Sequence, residues 1–144
     1  MTETGIDPRG PRFGAAVMAA LLVVTLLLGA GPGATAVLAV AALLFAVGAA
    51  RGAQGTLQGM VFARWVRPRL RPTVEREDPR PPRFAQVVGL VITGSGVALG
   101  LVGLDAAVPV AAGVALVAAF LNAAFGFCLG CEMYVLGRRV LHRA

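Results

Sequence analysis

Four apolar runs of about twenty residues each constrain this chain more than any other feature. They cover residues 13–30, 35–54, 84–104 and 108–128. A helix of roughly 20 apolar residues crosses a hydrocarbon core of about 30 Å, and it satisfies its own backbone hydrogen bonds in lipid. Ala and Leu dominate the runs and no period-2 alternation occurs, which disfavours strands. The sequence therefore predicts an all-α membrane protein with four transmembrane helices.

The composition agrees with a bilayer environment. Of the 144 residues, 58% are hydrophobic, with a mean hydropathy of +0.80, whereas soluble domains contain about 45–50% apolar residues. The first run has the length and position of a long signal sequence, with Ala34-Thr35-Ala36 as a small-residue cleavage site. A related run recurs later in the chain, so we interpret the first one as a retained span.

The chain contains a tandem repeat with an offset of 71 residues. The segment DPRGPRF at residues 7–13 reappears as DPRPPRF at residues 78–84, and glycines further along stay in phase, such as Gly55 with Gly126 and Gly59 with Gly130. Each unit reads as a basic Pro-containing entry, a span, a short turn and a second span. We therefore predict one membrane domain over residues 1–144, built from two parallel helical hairpins at about 6–70 and 77–141.

The arginines predict the orientation. The chain has a net charge of +6, and all of its basic residues are Arg. They concentrate before the first span, in the connector between the units and after the fourth span, while the two short turns are free of them. A basic excess marks cytoplasmic loops, so both termini and the connector are predicted to be cytoplasmic. Topology and attraction to anionic lipid explain the charge, and no nucleic-acid partner is predicted.

Cys128 and Cys131 are the most concentrated chemical group in the chain. If the fourth span continued through them, they would share a helix face with Cβ atoms about 5–6 Å apart, further than the roughly 3.5–4.5 Å of a disulfide. On the cytoplasmic side the pair would be kept reduced, and a helix C-terminus would disfavour a thiolate. The matching residues of the first unit are Leu57 and Met60, so the fold does not require thiols.

Three interpretations of the pair stay open: a redox-active or sulfur-accepting dithiol, inert packing, or a metal site. The two cysteines and the lone His142 supply at most three ligands within one chain, whereas structural zinc usually has four. A metal site would therefore need a homo-oligomer, and no metal or cofactor is predicted for a single chain.

Three polar residues are candidates for supporting roles. Glu132 follows the pair and either tunes thiol protonation or balances the charge of Arg138 and Arg139. Arg51 and Asn122 occupy equivalent positions in the two units, within two turns of the predicted cytoplasmic end. They either line a polar cavity beneath the cysteines, or Arg51 extends to the interface and Asn122 bonds a neighbouring helix. Glycine pairs spaced by four, Gly48/Gly52, Gly96/Gly100 and Gly126/Gly130, predict close helix packing.

The segments IDPRGPRF at 6–13, PPRFAQ at 81–86 and FLNAAFGFCLGCEMY at 120–134 carry a family resemblance. On them, the chain resembles an uncharacterised family of small actinobacterial integral membrane proteins, a domain of unknown function. The resemblance implies membership rather than an activity. It also associates the family with thioredoxin-like proteins and sulfurtransferases, which favours the thiol interpretation.

Three functions follow as hypotheses. In the first, Cys128 and Cys131 exchange electrons or carry a persulfide with a soluble thioredoxin-like or sulfurtransferase partner at the cytoplasmic face, as a thiol–disulfide oxidoreductase or sulfur carrier. In the second, the protein is a non-enzymatic membrane anchor or scaffold whose basic face recruits partners. In the third, it is a small transporter module that uses the Arg51 and Asn122 region.

Overall fold

The computed structural model describes residues 5–143 and is predominantly helical there. Its six α-helices are α1 (Arg9–Leu28), α2 (Pro32–Arg51), α3 (Leu57–Val61), α4 (Arg80–Leu101), α5 (Ala107–Phe125) and α6 (Leu129–Arg143). The short α3 continues through a π-helical turn at Phe62–Val66 and a 3-10 turn at Arg67–Arg69. Within these residues extended pairing is limited to one bridge between Ile6 and Glu77. The all-α prediction is confirmed.

Four of these helices are long and apolar enough to span a membrane. They are α1, α2, α4 and α5, with 20, 20, 22 and 19 residues, and an 18-residue stretch of each has a mean hydropathy of 2.0, 2.2, 1.8 and 2.1, respectively. At 1.5 Å per residue, each is about 30 Å long. Large apolar side chains on their outer faces are exposed, among them Leu43 at 66%, Val91 at 61% and Val110 at 65%. Such faces suit contact with lipid rather than water.

The four long helices form a closed bundle. α1 packs against α5 and α2, and α4 packs against α2 and α5, while α6 packs beside α4. The first turns of α1 and α4 therefore lie at the same end of the bundle as the last turns of α5 and α2. The Ile6–Glu77 bridge joins the chain before α1 to the connector before α4 at this end, with both N–H to O distances at 2.9 Å. We call this end of the bundle the arginine-rich end.

Small residues allow the helices to pack closely in the core. Fully buried Leu38 and Val108 lie among Ala34, Ala41 and Ala112. A Cβ atom added at Gly96 would stand 2.5 Å from Ala111 Cβ and 3.0 Å from Leu38 Cδ2, and one added at Gly100 would stand 2.6 Å from Val108 Cγ2. The absence of side chains at these two glycines of α4 thus sets the spacing of three helices.

The two units begin in the same way. In each, an aspartate precedes a proline and accepts hydrogen bonds from the backbone and guanidinium of the following arginine: Asp7 with Arg9, and Asp78 with Arg80. These arginine contacts hold the pKa of both carboxyl groups below the ordinary value. α1 and α4 start at the two arginines, 71 residues apart. The match agrees with the predicted repeat, whose unit boundaries stay a prediction.

Two further arginines close the ends of helices in the other unit. Arg12 donates from Nη2 to the carbonyl oxygens of Ala123 and Ala124 at 3.3 Å each, at the end of α5. Arg83 donates to the carbonyls of Ala49 and Ala50 at 2.8 and 2.7 Å, at the end of α2. The last carbonyls of a helix lack intrahelical partners and carry partial negative charge. Each guanidinium satisfies two of them.

The predicted bounds of the fourth span are wrong at its end. α5 stops at Phe125 instead of continuing to residue 128, because Gly126 adopts a left-handed φ of 70°. Gly126 and Gly130 therefore do not lie on one helix, and their spacing of four is not a helix-packing motif. Gly52 ends α2 in a similar way with a φ of 86°, so Gly48 and Gly52 do not form such a pair either.

Gly96→Ala is predicted to destabilise the bundle by about 1–3 kcal/mol, because the new methyl group must displace Ala111 and Leu38 in a packed core. The measurement is the unfolding midpoint in detergent, followed by helical circular dichroism. Gly113→Ala is the matched control, since a Cβ there meets no atom within 4 Å. Equal midpoints for the two variants would contradict the packing described for α4.

Removal of a helix-closing guanidinium is predicted to weaken the arginine-rich end. Arg83→Gln loses the hydrogen bonds to the last carbonyls of α2, and Arg12→Gln loses those of α5, so both should unfold at lower temperature than the parent. Arg139→Gln changes an exposed arginine of α6 and provides the control for loss of one positive charge. If all three variants unfold at the same temperature, the hydrogen bonds of Arg12 and Arg83 contribute nothing measurable to the stability of the bundle.

Candidate functional site

The candidate site begins where α5 ends. The Gly126 N–H donates to Asn122 O at 2.9 Å and the Phe127 N–H donates to Leu121 O at 3.2 Å, which closes α5. After this turn the chain begins a new helix, α6, whose N-terminus carries the cysteines. The prediction that both cysteines lie on the C-terminal turn of the last span is wrong, because a glycine in the left-handed conformation separates that span from them.

Cys128 and Cys131 form a disulfide, with their Cα atoms 5.1 Å apart. Sequence reasoning placed the two residues on one continuous helix and so expected a separation too long for a bond. Cys128 instead precedes the first turn of α6 and Cys131 lies within that turn, which brings the sulfurs together. The expectation of a reduced pair therefore does not describe this structure.

The sulfur of Cys128 occupies the capping position of α6. The Cys131 N–H donates to Cys128 Sγ at 3.1 Å, and the Glu132 N–H donates to the Cys128 carbonyl at 3.0 Å. First-turn N–H groups lack intrahelical acceptors and carry partial positive charge. The predicted electrostatic effect is therefore reversed: the helix end beside Cys128 favours a thiolate instead of disfavouring one.

The first unit has a related cap without sulfur. Thr56 Oγ1 accepts from the Gly59 N–H at 2.9 Å at the start of α3. In each unit the following helix also stacks an aromatic ring on the entry helix, Phe62 on Phe13 and Tyr134 on Phe84, with centroids 5.8 and 5.7 Å apart. A side chain thus caps this helix in both units, and only in the second unit is that side chain a cysteine.

The disulfide lies on the wall of a cavity of about 650 Å³. This site cavity extends from the arginine-rich end inward between α1, α4 and α5. Its charged and amide lining residues are Arg9, Arg12, Glu75, Glu77, Gln86, Asn122 and Glu132. Its inner lining is apolar and includes Met18, Phe45, Ile92, Val114 and Ala118. The volume is within the range of about 300–1,000 Å³ that small-molecule sites occupy.

The structure brings Asn122 and Glu132 to this cavity but not Arg51. Asn122 and Glu132 both line it beside the cysteines. Arg51 is exposed at the last position of α2 and is not among the lining residues. Arg138, one of the two arginines considered as partners of Glu132, donates from Nη1 to Tyr134 Oη at 3.2 Å. The supporting roles of these residues stay predictions.

Sequence reasoning missed two lining residues, Glu77 and Gln86. Burial and the neighbouring Asp78 raise the pKa of the Glu77 carboxyl above its ordinary value. Gln86 Oε1 is buried without a hydrogen-bond partner among the described residues. Glu77 lies in the connector and Gln86 in α4, far from the cysteines in sequence. Gln86 ends the PPRFAQ segment, but that segment carries the family resemblance and does not indicate a cavity. The internal repeat offers one clue, since Gln86 matches the apolar Ala15.

Residues 5–143 contain no cluster of three His, Cys, Asp or Glu side chains that could hold a metal ion. His142 Nε2 lies 3.4 Å from Arg138 Nη2 on α6, away from the disulfide. A disulfide between two cysteines at a helix N-terminus is a group that can take part in thiol–disulfide exchange.

Comparisons with known proteins place the chain in a family without assigning an activity. No curated protein and no solved structure matches it. A family model does match, over residues 6–139, which covers both units and the cysteine pair. The chain belongs to the family defined by that model, the domain of unknown function DUF4395.

Proposed function

We propose that this membrane protein is a thiol–disulfide exchange protein whose redox group is the Cys128–Cys131 pair. The observation that carries the proposal is the disulfide at the N-terminus of α6. It lies on the wall of a cavity, and its Cys128 sulfur caps the helix. Paired cysteines at a helix N-terminus have a stabilised thiolate, which is the reactive form in exchange. A purely structural disulfide would not need a cavity beside it.

Cys128 is the attacking residue in this proposal. In the reduced pair, the Cys131 N–H and the N-terminal dipole of the 15-residue α6 favour negative charge on Cys128 Sγ. Cys131 lies inside the first turn and is placed to attack Cys128 Sγ afterwards. Glu132 is next to the pair and opposes a second negative charge there, so one thiolate at a time is favoured.

The exchange proceeds in two balanced steps. The Cys128 thiolate attacks one sulfur of a partner disulfide, which breaks the partner S–S bond and forms a mixed disulfide; the released partner thiolate takes up a proton. The Cys131 thiolate then attacks Cys128 Sγ, which forms the Cys128–Cys131 bond and releases the second partner sulfur as a thiolate. This protein loses two electrons and the partner gains them, and the reverse sequence reduces this protein.

The partner we propose is a soluble thioredoxin-like or sulfurtransferase protein at the cytoplasmic face. The arginine-rich end carries the disulfide, the connector and both described chain ends, and a basic excess is typical of the cytoplasmic side. Exposed Arg80, Arg138 and Arg139 near α6 would attract an acidic partner surface. With a sulfurtransferase that carries a persulfide, the Cys128 thiolate would attack the outer sulfur of that persulfide, which breaks the donor S–S bond, forms a persulfide on Cys128 and releases the sulfurtransferase cysteine as a thiolate.

Cys131→Ser is predicted to trap the partner, because the mixed disulfide on Cys128 can no longer be resolved. The measurement is a non-reducing gel of membranes from cells that express the tagged variant, with a band that disappears on reduction. Cys128→Ser should trap less, and the double variant Cys128→Ser/Cys131→Ser should trap nothing. The proposal fails if neither single variant forms a reducible adduct.

The topology can be tested on the same two sulfurs. After mild reduction, a membrane-impermeant maleimide is expected to leave Cys128 and Cys131 unmodified in intact cells and to modify them in inverted vesicles. A cysteine introduced at Asp105, in the short turn between α4 and α5, should show the opposite pattern in the cysteine-free background. Modification of the native pair from outside would overturn the cytoplasmic placement and the proposed partners.

The anchor hypothesis predicts a different outcome. If the protein only recruits partners through its basic face, the double cysteine variant retains function and reversal of Arg64, Arg67 and Arg69 to glutamate abolishes it. The trapping and reversal variants together therefore separate exchange from recruitment.

A further inference from the structure

From the geometry of the site cavity we infer that it binds a lipid-soluble quinone, which accepts the electron pair of the reduced Cys128–Cys131 pair. This inference rests on the proposed function and adds the second substrate of the same site. A dithiol that cycles needs one partner that reduces it and one that oxidises it. With a quinone as the oxidant, the protein partner supplies the electrons by the reverse of the exchange described above. The cavity connects the disulfide with the interior of the bundle, where a membrane-dissolved molecule can reach it.

The depth of the cavity is the first argument. Its wall runs from Arg9 to Met18 along α1, about 14 Å at 1.5 Å per residue. Val114 on α5 lies a similar distance from the end of that helix at Phe125, about 16 Å. Along α5, whose 19 residues match a hydrocarbon core about 30 Å thick, the cavity thus reaches roughly half of the depth. A water-soluble substrate needs no such depth, whereas an isoprenoid side chain does.

The distribution of polarity is the second argument. The inner wall is formed by Met18, Phe45, Ile92, Val114 and Ala118, and the outer wall carries the disulfide with two amides, Asn122 and Gln86. An occupant that matches this wall has an apolar tail and a polar head at the level of the sulfurs. A quinone has this form and transfers two electrons and two protons, which is the number that a disulfide exchanges.

The amides suit both oxidation states of such a head. A quinone oxygen only accepts hydrogen bonds, and the side-chain NH₂ of Asn122 or Gln86 can donate to it. A hydroquinone hydroxyl donates, and the side-chain oxygen of Asn122, which also lines the cavity, can accept from it.

The step balances as a two-electron transfer. Two S–H bonds of the reduced pair break and one S–S bond forms, while two electrons and two protons pass to the quinone. Both ring carbonyls become hydroxyls, and the hydroquinone leaves through the membrane side of the cavity. The Glu77 carboxyl lines the cavity and retains its proton to higher pH than an ordinary glutamate. It is therefore suited to pass protons between the sulfurs and the ring.

The test uses full-length protein in liposomes, reduced beforehand and kept without oxygen. Addition of decylubiquinone is expected to convert Cys128 and Cys131 from two thiols to a disulfide, read by a gel shift with a polymer-linked maleimide. Ala118→Phe fills the inner cavity away from the sulfurs and should slow this oxidation by at least about tenfold. Val117→Phe changes the preceding residue of α5, whose side chain is exposed, and the cysteines of this variant should be oxidised as fast as those of the parent.

Val114→Phe provides a second block at another lining residue, and circular dichroism verifies that each variant keeps its helices. In parallel, every sample is exposed to an oxidised thioredoxin. If oxidised thioredoxin oxidises the parent protein but decylubiquinone does not, the quinone site is refuted and the exchange function stands. Parent protein oxidised by neither refutes both. Oxidation of Ala118→Phe and Val114→Phe as fast as Val117→Phe refutes binding within the cavity.

Discussion

A transmembrane helix that stops leaves its last carbonyl groups without partners, and two contacts close this gap at the end of α5. Gly126 turns the chain in a left-handed conformation and Arg12 donates to the carbonyls of Ala123 and Ala124. Because α5 stops there, the next residues start a helix of their own, and Cys128 stands at its N-terminus. The reversed electrostatics of the cysteine pair depend on this single break in the helix.

The fold was largely predictable from sequence, because lipid imposes strict conditions on any segment that crosses it. Runs of about twenty apolar residues must be helices, and the structure has four of them. The site was less predictable. Residues 125–127, with the sequence Phe-Gly-Phe, continue the apolar run of the fourth span. A glycine in a membrane helix can either let two helices pack closely or end the helix. Only the tertiary structure distinguishes the two, and it placed the cysteines at the opposite helix end from the one expected.

The comparison of the two units explains how a thiol site fits a fold that does not require one. Both units cap the helix after the second span, with Thr56 in the first and Cys128 in the second. The repeat offset matches Cys128 with Leu57 and not with Thr56, so the capping residue lies one position later in the second unit than in the first. Two other residues that line the site cavity, Glu77 and Gln86, come from the connector and α4. Although Gln86 ends the PPRFAQ segment, no pattern in the sequence places either residue beside the cysteines.

Gly130 gives α6 a property that goes beyond packing. A Cβ atom at this position would lie 2.6 Å from both Cα and Cβ of Ala85 on α4, so the helix that carries the sulfurs rests directly on the backbone of the bundle. The disulfide at the start of α6 is thereby held at a fixed position relative to α4. Any larger residue at 130 would push α6 away from α4 and move the disulfide away from the cavity that it lines.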